Sequence, residues 1–311
     1  MRALQRARGH ITRWLQERHY SEGTIVHGRY RIIGPLGSGS YGVTYRCEDR
    51  SDHNRPVVLK RVHPLRGGEE RARLIYEREC KTMRQLAHPH IPALLDQFLY
   101  RGQHCLVMQY MEGRSIGELL FERQAVFTEY EAIQLMLQLL ELIEQMHNQH
   151  MVHRDISLSN VLLHDGQVQL IDFGLTWHQA EPRELVQQLD ELVSGDEQEK
   201  IIRRSLSVSS DFYGMGHLLL YLLYSSYDES STDLNGQHAI TDETTTRPSL
   251  SNHTNVAAVS SGWESELKLH PDTRIMLRRM LQADQPYTDA TEVRQALEHS
   301  AHSIQPAHPS H

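Results

Sequence analysis

The sequence predicts an α+β protein in which a β-rich part comes first and a mainly helical part follows. Short β-branched and aromatic segments separated by turn residues occupy positions 30–108, interrupted by one helical stretch at 69–86. Apolar residues at helical spacing dominate from position 115 onwards. A long helix is predicted at 127–149, with a capping box at Thr128-Glu129-Tyr130-Glu131. Its expected buried stripe consists of Ile133, Met136, Leu137, Leu140, Ile143 and Met146. A chain of 311 residues is long enough for one large domain or for two lobes with a shared core.

Composition and charge exclude several classes of protein. The net charge of −8 does not suggest a general role in nucleic-acid binding. The longest apolar run, roughly Leu218 to Leu223, is far too short to span a membrane. The basic N-terminus lacks the apolar region of a signal peptide. The three cysteines, Cys47, Cys80 and Cys105, are widely spaced, which indicates buried thiols in a reducing cytoplasm.

Residues 1–22 form a distinct N-terminal segment, in which arginines alternate with an apolar stripe at helical spacing. One interpretation is a basic amphipathic helix that rests on a partner or on the inner face of a membrane, where anionic lipids attract it. The other is a helix that packs Ile11 and Trp14 onto the domain that follows.

A glycine-rich hairpin follows this segment. Residues 30–33 and 43–47 are predicted strands, and between them Gly37, Gly39 and Gly42 form the pattern Gly-x-Gly-x-x-Gly. A dinucleotide-binding glycine motif opens a helix, whereas here the chain returns into a strand. We therefore expect the glycines to turn a hairpin and to bring backbone N–H groups close to phosphates.

Lys60 lies in a third predicted strand, Pro56 to Val62, which is otherwise largely apolar. A buried lysine needs a partner of opposite charge. The helix predicted at 69–86 offers several glutamates, among them Glu77 and Glu79. Two more strands are expected on either side of Arg101–Gly102–Gln103.

A polar stretch from His153 to Asn160 and the sequence Asp172-Phe173-Gly174 flank a predicted hairpin that turns at Asp165-Gly166. Because a hairpin brings its ends together, we expect Asp155, Asn160 and Asp172 to converge. One carboxylate can orient a hydroxyl nucleophile, and the other carboxylate and the amide are oxygen ligands that suit magnesium carried by a nucleotide.

In their order and spacing these motifs resemble the eukaryotic-like, or Hanks-type, serine/threonine protein kinase family, and the sequence is closer in character to its bacterial members. The resemblance covers roughly Thr24 to Glu298. It implies a bilobal protein kinase-like fold with ATP and magnesium in the cleft. Residues 23–111 would form a β-rich N-lobe with one helix, and residues 112–300 a mainly helical C-lobe. The C-lobe contains a Ser/Thr-rich polar insert at 228–262, and a disordered tail is expected at 301–311.

The resemblance also assigns roles to individual residues. Asp155 would orient the substrate hydroxyl, and Lys60, paired with Glu79, would hold the ATP phosphates. Glu79 is selected over Glu77 because it precedes His88-Pro89-His90-Ile91 by nine residues. Asn160 and Asp172 would bind Mg2+, or alternatively Mn2+. The remaining contacts to ATP would come from Gly37, Ser38, Gly39, Ser40, Tyr41, Gly42, Val43, Val58, Met108, Gln109, Tyr110, Met111 and Leu162.

The sequence departs from the family pattern in two places. Ser157 stands where the family carries a lysine that contacts the transferred phosphate, which predicts a slower enzyme or a cation brought from elsewhere. The Ala-Pro-Glu motif that ends the activation segment is missing. Asp211 is expected to hold the backbone of the catalytic loop, and Arg154 to bind a phosphorylated residue. The candidates for that residue are Thr176, Ser205, Ser207, Ser209 and Ser210.

The predicted function is ATP- and Mg2+-dependent phosphorylation of serine or threonine hydroxyls in proteins, including autophosphorylation. Two alternatives stay open. A small-molecule kinase of the same fold would also lack Ala-Pro-Glu, although Arg154 and Asp211 belong to the protein kinase pattern. A pseudokinase would keep the nucleotide pocket and signal by conformation, although Lys60, Asp155 and the two metal-site residues are all present.

Overall fold

The computed structural model describes residues 20–39, 42–62, 68–184, 186–187, 198–227 and 262–304. The chain divides into two compact units. The first comprises Met1–Glu112 with Gln169–Gly195, and the second comprises Gly113–Val168 with Asp196–His311. The division at 112/113 lies one residue from the predicted lobe boundary. The segment from Gln169 belongs to the first unit, although the prediction places it in the C-lobe, because its side chains bond to the strand and helix of that unit.

The first unit contains an antiparallel six-stranded sheet with the order β1-β2-β3-β4-β6-β5. One helix packs beside it. The strands are β1 (Ile25–Val26), β2 (Tyr30–Gly39), β3 (Gly42–Asp49), β4 (Arg55–Val62), β5 (Leu94–Tyr100) and β6 (Gln103–Gln109), and the helix is α1 (Gly68–Gln85). The strands and the helix predicted in this part of the chain are all present.

Two-residue turns explain the tight hairpins. Arg101 and Gly102 have φ angles of 51° and 75°, so β5 and β6 are joined through left-handed residues that match the twist of the strands. Asp165 and Gly166 have φ angles of 47° and 77°, which confirms the hairpin predicted there.

One face of the large sheet carries an apolar core in which Tyr30, Tyr45 and Leu59 are fully buried. Tyr20 packs against this core, its backbone N–H donates to the Tyr45 hydroxyl at 3.2 Å, and the Arg61 guanidinium lies 4.8 Å above its ring. The folded part of the first unit therefore includes Tyr20, which lies before the predicted boundary at residue 23. The three cysteines are buried free thiols, as expected.

The second unit is mainly helical. Its strands are β7 (Arg114–Ser115), β8 (Met151–Val152), β9 (Val161–His164) and β10 (Gln167–Leu170), the last of which crosses into the first unit. Its helices are α2 (Ile116–Phe121), α3 (Glu129–Asn148), α4 (Gln198–Arg203), α5 (Ser209–Tyr224), α6 (Pro271–Met280) and α7 (Ala290–Ile304). Strand β7 pairs with β9 through Arg114–Leu163 and Ser115–Leu162.

Helix α3 begins with the predicted capping box, in which Thr128 and Glu131 satisfy each other's backbone N–H groups. Its buried stripe includes Ile133, Met136 and Ile143 as expected. Leu137, which is predicted to belong to this stripe, is only half-buried.

Helix α5 is buried along almost its whole length, in agreement with its apolar sequence. Gly216 lets it approach α6, since a Cβ atom there would lie 2.8 Å from the Cβ of Met280. Helix α7 continues to Ile304, and Ala301 is buried. The expectation of disorder from residue 301 is therefore wrong for residues 301–304. Among the described residues, no helix is long and apolar enough to cross a membrane.

Three predictions fall on residues that the structure does not describe. Residues 1–19 of the predicted N-terminal helix lie outside the described residues. The same holds for residues 228–261 of the Ser/Thr-rich insert and for the tail from residue 305. The proposed membrane contact, the role of the insert and the disorder of the last residues stay predictions.

The segment after Gly174 is fastened to α1 by a latch, which we define as Arg78, Thr82, His178 and Glu181. His178 belongs to β11 (Trp177–His178). The Arg78 guanidinium donates to the Glu181 carboxylate at 2.8 Å, and Nε2 of His178 lies 3.0 Å from the Thr82 hydroxyl. Because that hydroxyl donates its own proton to the Arg78 carbonyl, it accepts from Nε2–H of the histidine.

Replacing Gly42 by alanine should destabilise the first unit. The added Cβ atom would lie 2.3 Å from the Arg61 carbonyl oxygen, and a strand backbone cannot move away without loss of pairing. We expect Gly42→Ala to lower the free energy of unfolding by about 1–3 kcal/mol in urea titrations. Gly37→Ala is the matched control, since nothing lies within 4 Å of its added Cβ. Equal stability of the two variants would contradict the close approach.

The latch should contribute measurably to stability. Arg78 is 6% exposed at its side chain and Glu181 is 20% exposed, so Arg78→Met leaves a largely buried carboxylate without its partner. We expect a loss of about 1–3 kcal/mol in the free energy of unfolding.

A double-mutant cycle of Arg78→Met with Glu181→Gln should show coupling between the two residues. Arg73→Met is the control on the same helix, because Arg73 pairs with Glu70 and Glu77 at the exposed surface and its removal should matter little. Similar losses for the two arginine variants would argue against the latch.

Candidate active site

Lys60 is the centre of a charged cluster in the first unit. Its Nζ atom donates to Oε1 of Glu79 at 2.8 Å and to Oδ1 of Asp172 at 2.7 Å. Lys60 and Glu79 are buried, whereas the Asp172 side chain is 35% exposed. Glu77, the other candidate partner, pairs with Arg73 at the surface. The prediction that Glu79 is the partner of Lys60 is confirmed.

Burial and charge oppose each other in this cluster. Burial raises the pKa of Glu79 to about 7, although the neighbouring Lys60 ammonium pulls it down. Burial alone would lower the pKa of Lys60, but the carboxylates of Asp172 and Glu79 outweigh burial and hold its pKa above the usual value. Lys60 therefore keeps its positive charge at neutral pH.

Asp172 is held in a strained conformation. Its φ angle of 64° lies in the left-handed region, which costs a residue with a Cβ atom about 1–2 kcal/mol. Its Oδ1 atom accepts from Lys60 and from the backbone N–H of Gly174 at 3.2 Å. These bonds offset the strain and fix the direction of the carboxylate.

The glycine-rich strands β2 and β3 pair as predicted up to Gly39 and Gly42, which lie opposite each other. Gly42 is required for the close approach to β4, whereas Gly37 lies in open space. Gly37 and Ser38 are exposed on β2. Ser40 and Tyr41 lie outside the described residues, so their contacts with phosphate stay predictions.

The structure contradicts the predicted contact of Val43 with ATP. Side chains alternate between the two faces of a strand, and Val43 belongs to the core on the face opposite Lys60, together with Val57 and Leu59. Its neighbour Thr44 pairs with Lys60 across β3 and β4 and therefore shares the lysine's face. The sequence does not fix the register of β3 against β4. This register is what places Thr44, and not Val43, on the face of Lys60.

Val58 and Met108 lie opposite each other on β4 and β6, on the same face as Lys60. Both are buried, which makes them suitable apolar contacts for a planar base. After Gln109, the last residue of β6, the chain leaves the sheet through Tyr110 and Met111. The backbone N–H of Gln109 already donates to the Ala93 carbonyl at 2.9 Å, so this group holds the sheet rather than a ligand.

The second unit contains the other half of the predicted constellation. The amide Nδ2 of Asn160 donates to the backbone carbonyl and to Oδ2 of Asp155, both at 2.9 Å. This arrangement orients the Asp155 carboxylate. Leu162, at half-buried depth on β9, pairs with Ser115.

Asp211 holds the catalytic loop from α5, as predicted. Its carboxylate accepts from the backbone N–H groups of His153 and Arg154 at 2.9 and 2.7 Å, and from Nε2 of His147 at 2.9 Å. Burial would raise the pKa of Asp211, but these donors hold it below its usual value. The backbone N–H of Asp155 donates to Nδ1 of His153 at 3.2 Å, which extends the support to the candidate catalytic residue.

Arg154 has a φ angle of 66° and is almost fully buried. Its guanidinium donates to the backbone carbonyl of Arg204, through Nε at 3.1 Å. Of the candidate phosphorylation sites, Thr176 and Ser210 are buried in this structure, whereas Ser207 is exposed. Binding of a phosphorylated residue by Arg154 stays a prediction.

The donor set fits ATP with magnesium. Asp172 of the first unit has a carboxylate and Asn160 of the second has an amide oxygen, which are the hard ligand types that Mg2+ prefers. Within the described residues, no group of three or more His, Cys, Asp or Glu side chains could hold a metal ion by itself. Mg2+ is commonly bound through one or two such residues together with nucleotide phosphates.

The structure therefore brings together Lys60, Glu79 and Asp172 in the first unit, and Asp155 and Asn160 in the second. The predicted convergence of Asp172 with the second pair stays a prediction, because these residues belong to different units. The latch residues and His147 were not identified from the sequence, since their partners lie far away in the chain.

Comparison with known proteins identifies the family. The family model described as "Protein kinase domain" matches residues 30–300. The probable serine/threonine-protein kinase YbdM of Bacillus subtilis is 32% identical, over 94% of this chain and 98% of its own length. Serine/threonine-protein kinase B of Synechocystis is 31% identical over 50% of this chain and 28% of that protein.

The kinase domain of Mycobacterium tuberculosis PknI superposes with a TM-score of 0.59 at 18% identity, covering 91% of this chain and all of that domain. At this level of identity the likeness concerns the fold alone. The family match and the Bacillus relative both extend over most of the sequence, and this chain belongs to the protein kinase family.

Proposed function

We propose that this protein is an ATP- and Mg2+-dependent kinase that phosphorylates serine or threonine hydroxyls in proteins, itself included. The observation that carries the proposal is the buried Lys60 ammonium, bonded to both Glu79 and Asp172. A cation fixed between two carboxylates is suited to positioning nucleotide phosphates beside a metal ion. A site used only for stability would gain as much from apolar packing.

The residues divide the work as follows. Lys60 holds the phosphates, Val58, Met108 and Thr44 contact the base, and Asp172 and Asn160 bind Mg2+, which neutralises charge on the phosphates. Asp155, oriented by Asn160, accepts the proton of the substrate hydroxyl.

In the transfer step, the hydroxyl oxygen forms a bond to the γ-phosphorus of ATP. The bond from that phosphorus to the bridging oxygen breaks, and its electron pair stays on ADP. The hydroxyl proton passes to Asp155.

The choice of serine and threonine follows from the names of the bacterial relatives. The intact Asp211 clamp on the catalytic loop favours a protein kinase over a small-molecule kinase. We further propose that the enzyme works in the cytoplasm, where its three buried thiols stay reduced. Contact of residues 1–22 with a membrane or a partner belongs to the same proposal.

Loss of either charged centre should abolish transfer. With labelled ATP and Mg2+ or Mn2+, Asp155→Asn should lower the rate about 10²–10⁴-fold, because the general base is lost. Lys60→Ala should lower it about 10²–10³-fold, because the phosphates lose their fixed cation. Lys81→Ala, which removes an exposed lysine from α1, is the control and should retain activity.

Label on protein, lost in both variants, would establish the kinase. ATP binding without transfer would instead favour a pseudokinase. Label on an aminoglycoside or sugar, but on no protein, would favour a small-molecule kinase.

Activity should fall on the acid side of neutrality. Because burial raises the pKa of Glu79 to about 7, acidification protonates Glu79 and removes one of the two partners of Lys60. We expect kcat/KM for ATP, which reports ionisations of the free enzyme, to decline below about pH 7.

Glu79→Gln should have a lower kcat/KM for ATP, and this value should change less with pH across the same range. Glu77→Gln, on the exposed face of the same helix, should keep the decline. The titration of ATP itself is common to all three proteins. An unchanged decline in Glu79→Gln would assign it to another group.

A further inference from the structure

The catalytic loop lacks the cation that phosphoryl transfer normally uses. Ser157 cannot carry a positive charge, and its hydroxyl lies 3.1 Å from that of Ser159. Within residues 153–160 the only cationic side chain besides histidine is Arg154, which is buried and bonded to the carbonyl of Arg204. Charge on the transferred group must therefore be balanced from outside the loop.

Arg203 bonds to the catalytic loop at the residue before Ser157. It ends α4, and its Nη1 atom donates to the carbonyl oxygen of Ile156 at 3.2 Å. Ile156 lies between Asp155 and Ser157, and consecutive Cα atoms are only about 3.8 Å apart. The guanidinium is thus bonded to the backbone of the residue between the candidate base and Ser157, the position at which the family carries its lysine.

Two further observations place Arg203 and the catalytic loop against α5. The Arg203 guanidinium lies 6.0 Å from the ring centre of Tyr213 on α5, at the outer limit of a cation–π contact. Gly214, the next residue of α5, lets the helix approach the loop closely, since a Cβ atom there would lie 2.7 Å from the Cβ of Ile156. Burial and the nearby charge of Arg203 lower the pKa of His217 to about 3, so this neighbour stays neutral.

We propose that Arg203 supplies the positive charge that Ser157 cannot supply, and that its guanidinium contacts the phosphoryl group during transfer to the hydroxyl at Asp155. This inference rests on the proposed kinase activity. Arg203 forms and breaks no covalent bond. It stabilises the negative charge on the equatorial oxygens while the bond to the acceptor forms and the bond to ADP breaks.

The test separates charge from anchoring. Arg203→Gln removes the charge but leaves a polar N–H donor on a shorter side chain, whereas Arg203→Lys keeps the charge. With labelled ATP and casein as the acceptor, we expect Arg203→Gln to lower kcat about 10²-fold. The KM for ATP should change much less, because the interaction is made mainly in the transition state. Arg203→Lys should remain at least about tenfold more active than Arg203→Gln.

The decisive variant is Ser157→Lys combined with Arg203→Gln, which restores a cation at the position where the family carries it. We expect this double variant to regain at least about tenfold in kcat over Arg203→Gln alone. Arg123→Met, which removes an exposed arginine of the second unit, is the control for loss of charge. Arg203→Met is a second neutral variant, to be used if thermal unfolding shows that the glutamine variant is not folded.

Three outcomes would overturn the proposal. If a folded neutral variant keeps half of the wild-type kcat, Arg203 does not act in transfer. If Arg203→Lys is no better than Arg203→Gln, or Ser157→Lys rescues nothing, Arg203 only anchors the Ile156 carbonyl. If the wild-type protein transfers no phosphate to any protein, the kinase proposal fails and this inference fails with it.

Discussion

The structure of the first unit depends on one buried charge. An unpaired ammonium in the interior would cost several kcal/mol or lose its proton, so Lys60 requires its two carboxylates. Glu79 comes from α1 and Asp172 from the segment beyond β10, which means that both elements must be in place for the lysine to be satisfied. The latch between Arg78 and Glu181 ties these same two elements together a few residues further along. The proposed phosphate site and the local fold of this unit therefore depend on the same contacts.

The second unit solves the corresponding problem with a buried carboxylate. Asp211 is fully buried and receives two backbone N–H groups and the ring of His147. One of these N–H groups belongs to Arg154, whose left-handed conformation would otherwise be unfavourable. A helix in the core thus holds a strained loop in the shape that presents Asp155. In both units the candidate catalytic side chains are ordered by charges that the core cannot leave unpaired.

Sequence reasoning was accurate where the signal is local. The turn at Asp165-Gly166 and the capping box at Thr128 each lie within a few residues, and the choice of Glu79 followed from a short spacing. The assignment of Val43 failed because the face of a strand depends on register, which the pairing of Thr44 with Lys60 settles. The latch could not be inferred, since Arg78 and Glu181 are 103 residues apart and neither belongs to a motif.

The two departures from the family pattern, at Ser157 and at the missing Ala-Pro-Glu motif, lie in different segments that are bonded to each other. Where the Ala-Pro-Glu motif would anchor the end of the activation segment, consecutive residues anchor it differently. The Arg204 carbonyl accepts from Arg154, and Arg203 donates to the Ile156 carbonyl. In each bond a guanidinium donates to a backbone carbonyl, and one of the two partners belongs to the catalytic loop. Because the acceptor is a backbone group, the bonds tolerate change in the surrounding side chains. In the role proposed for Arg203, this anchor would also supply the positive charge that Ser157 lacks, so that one residue would compensate for both missing family features.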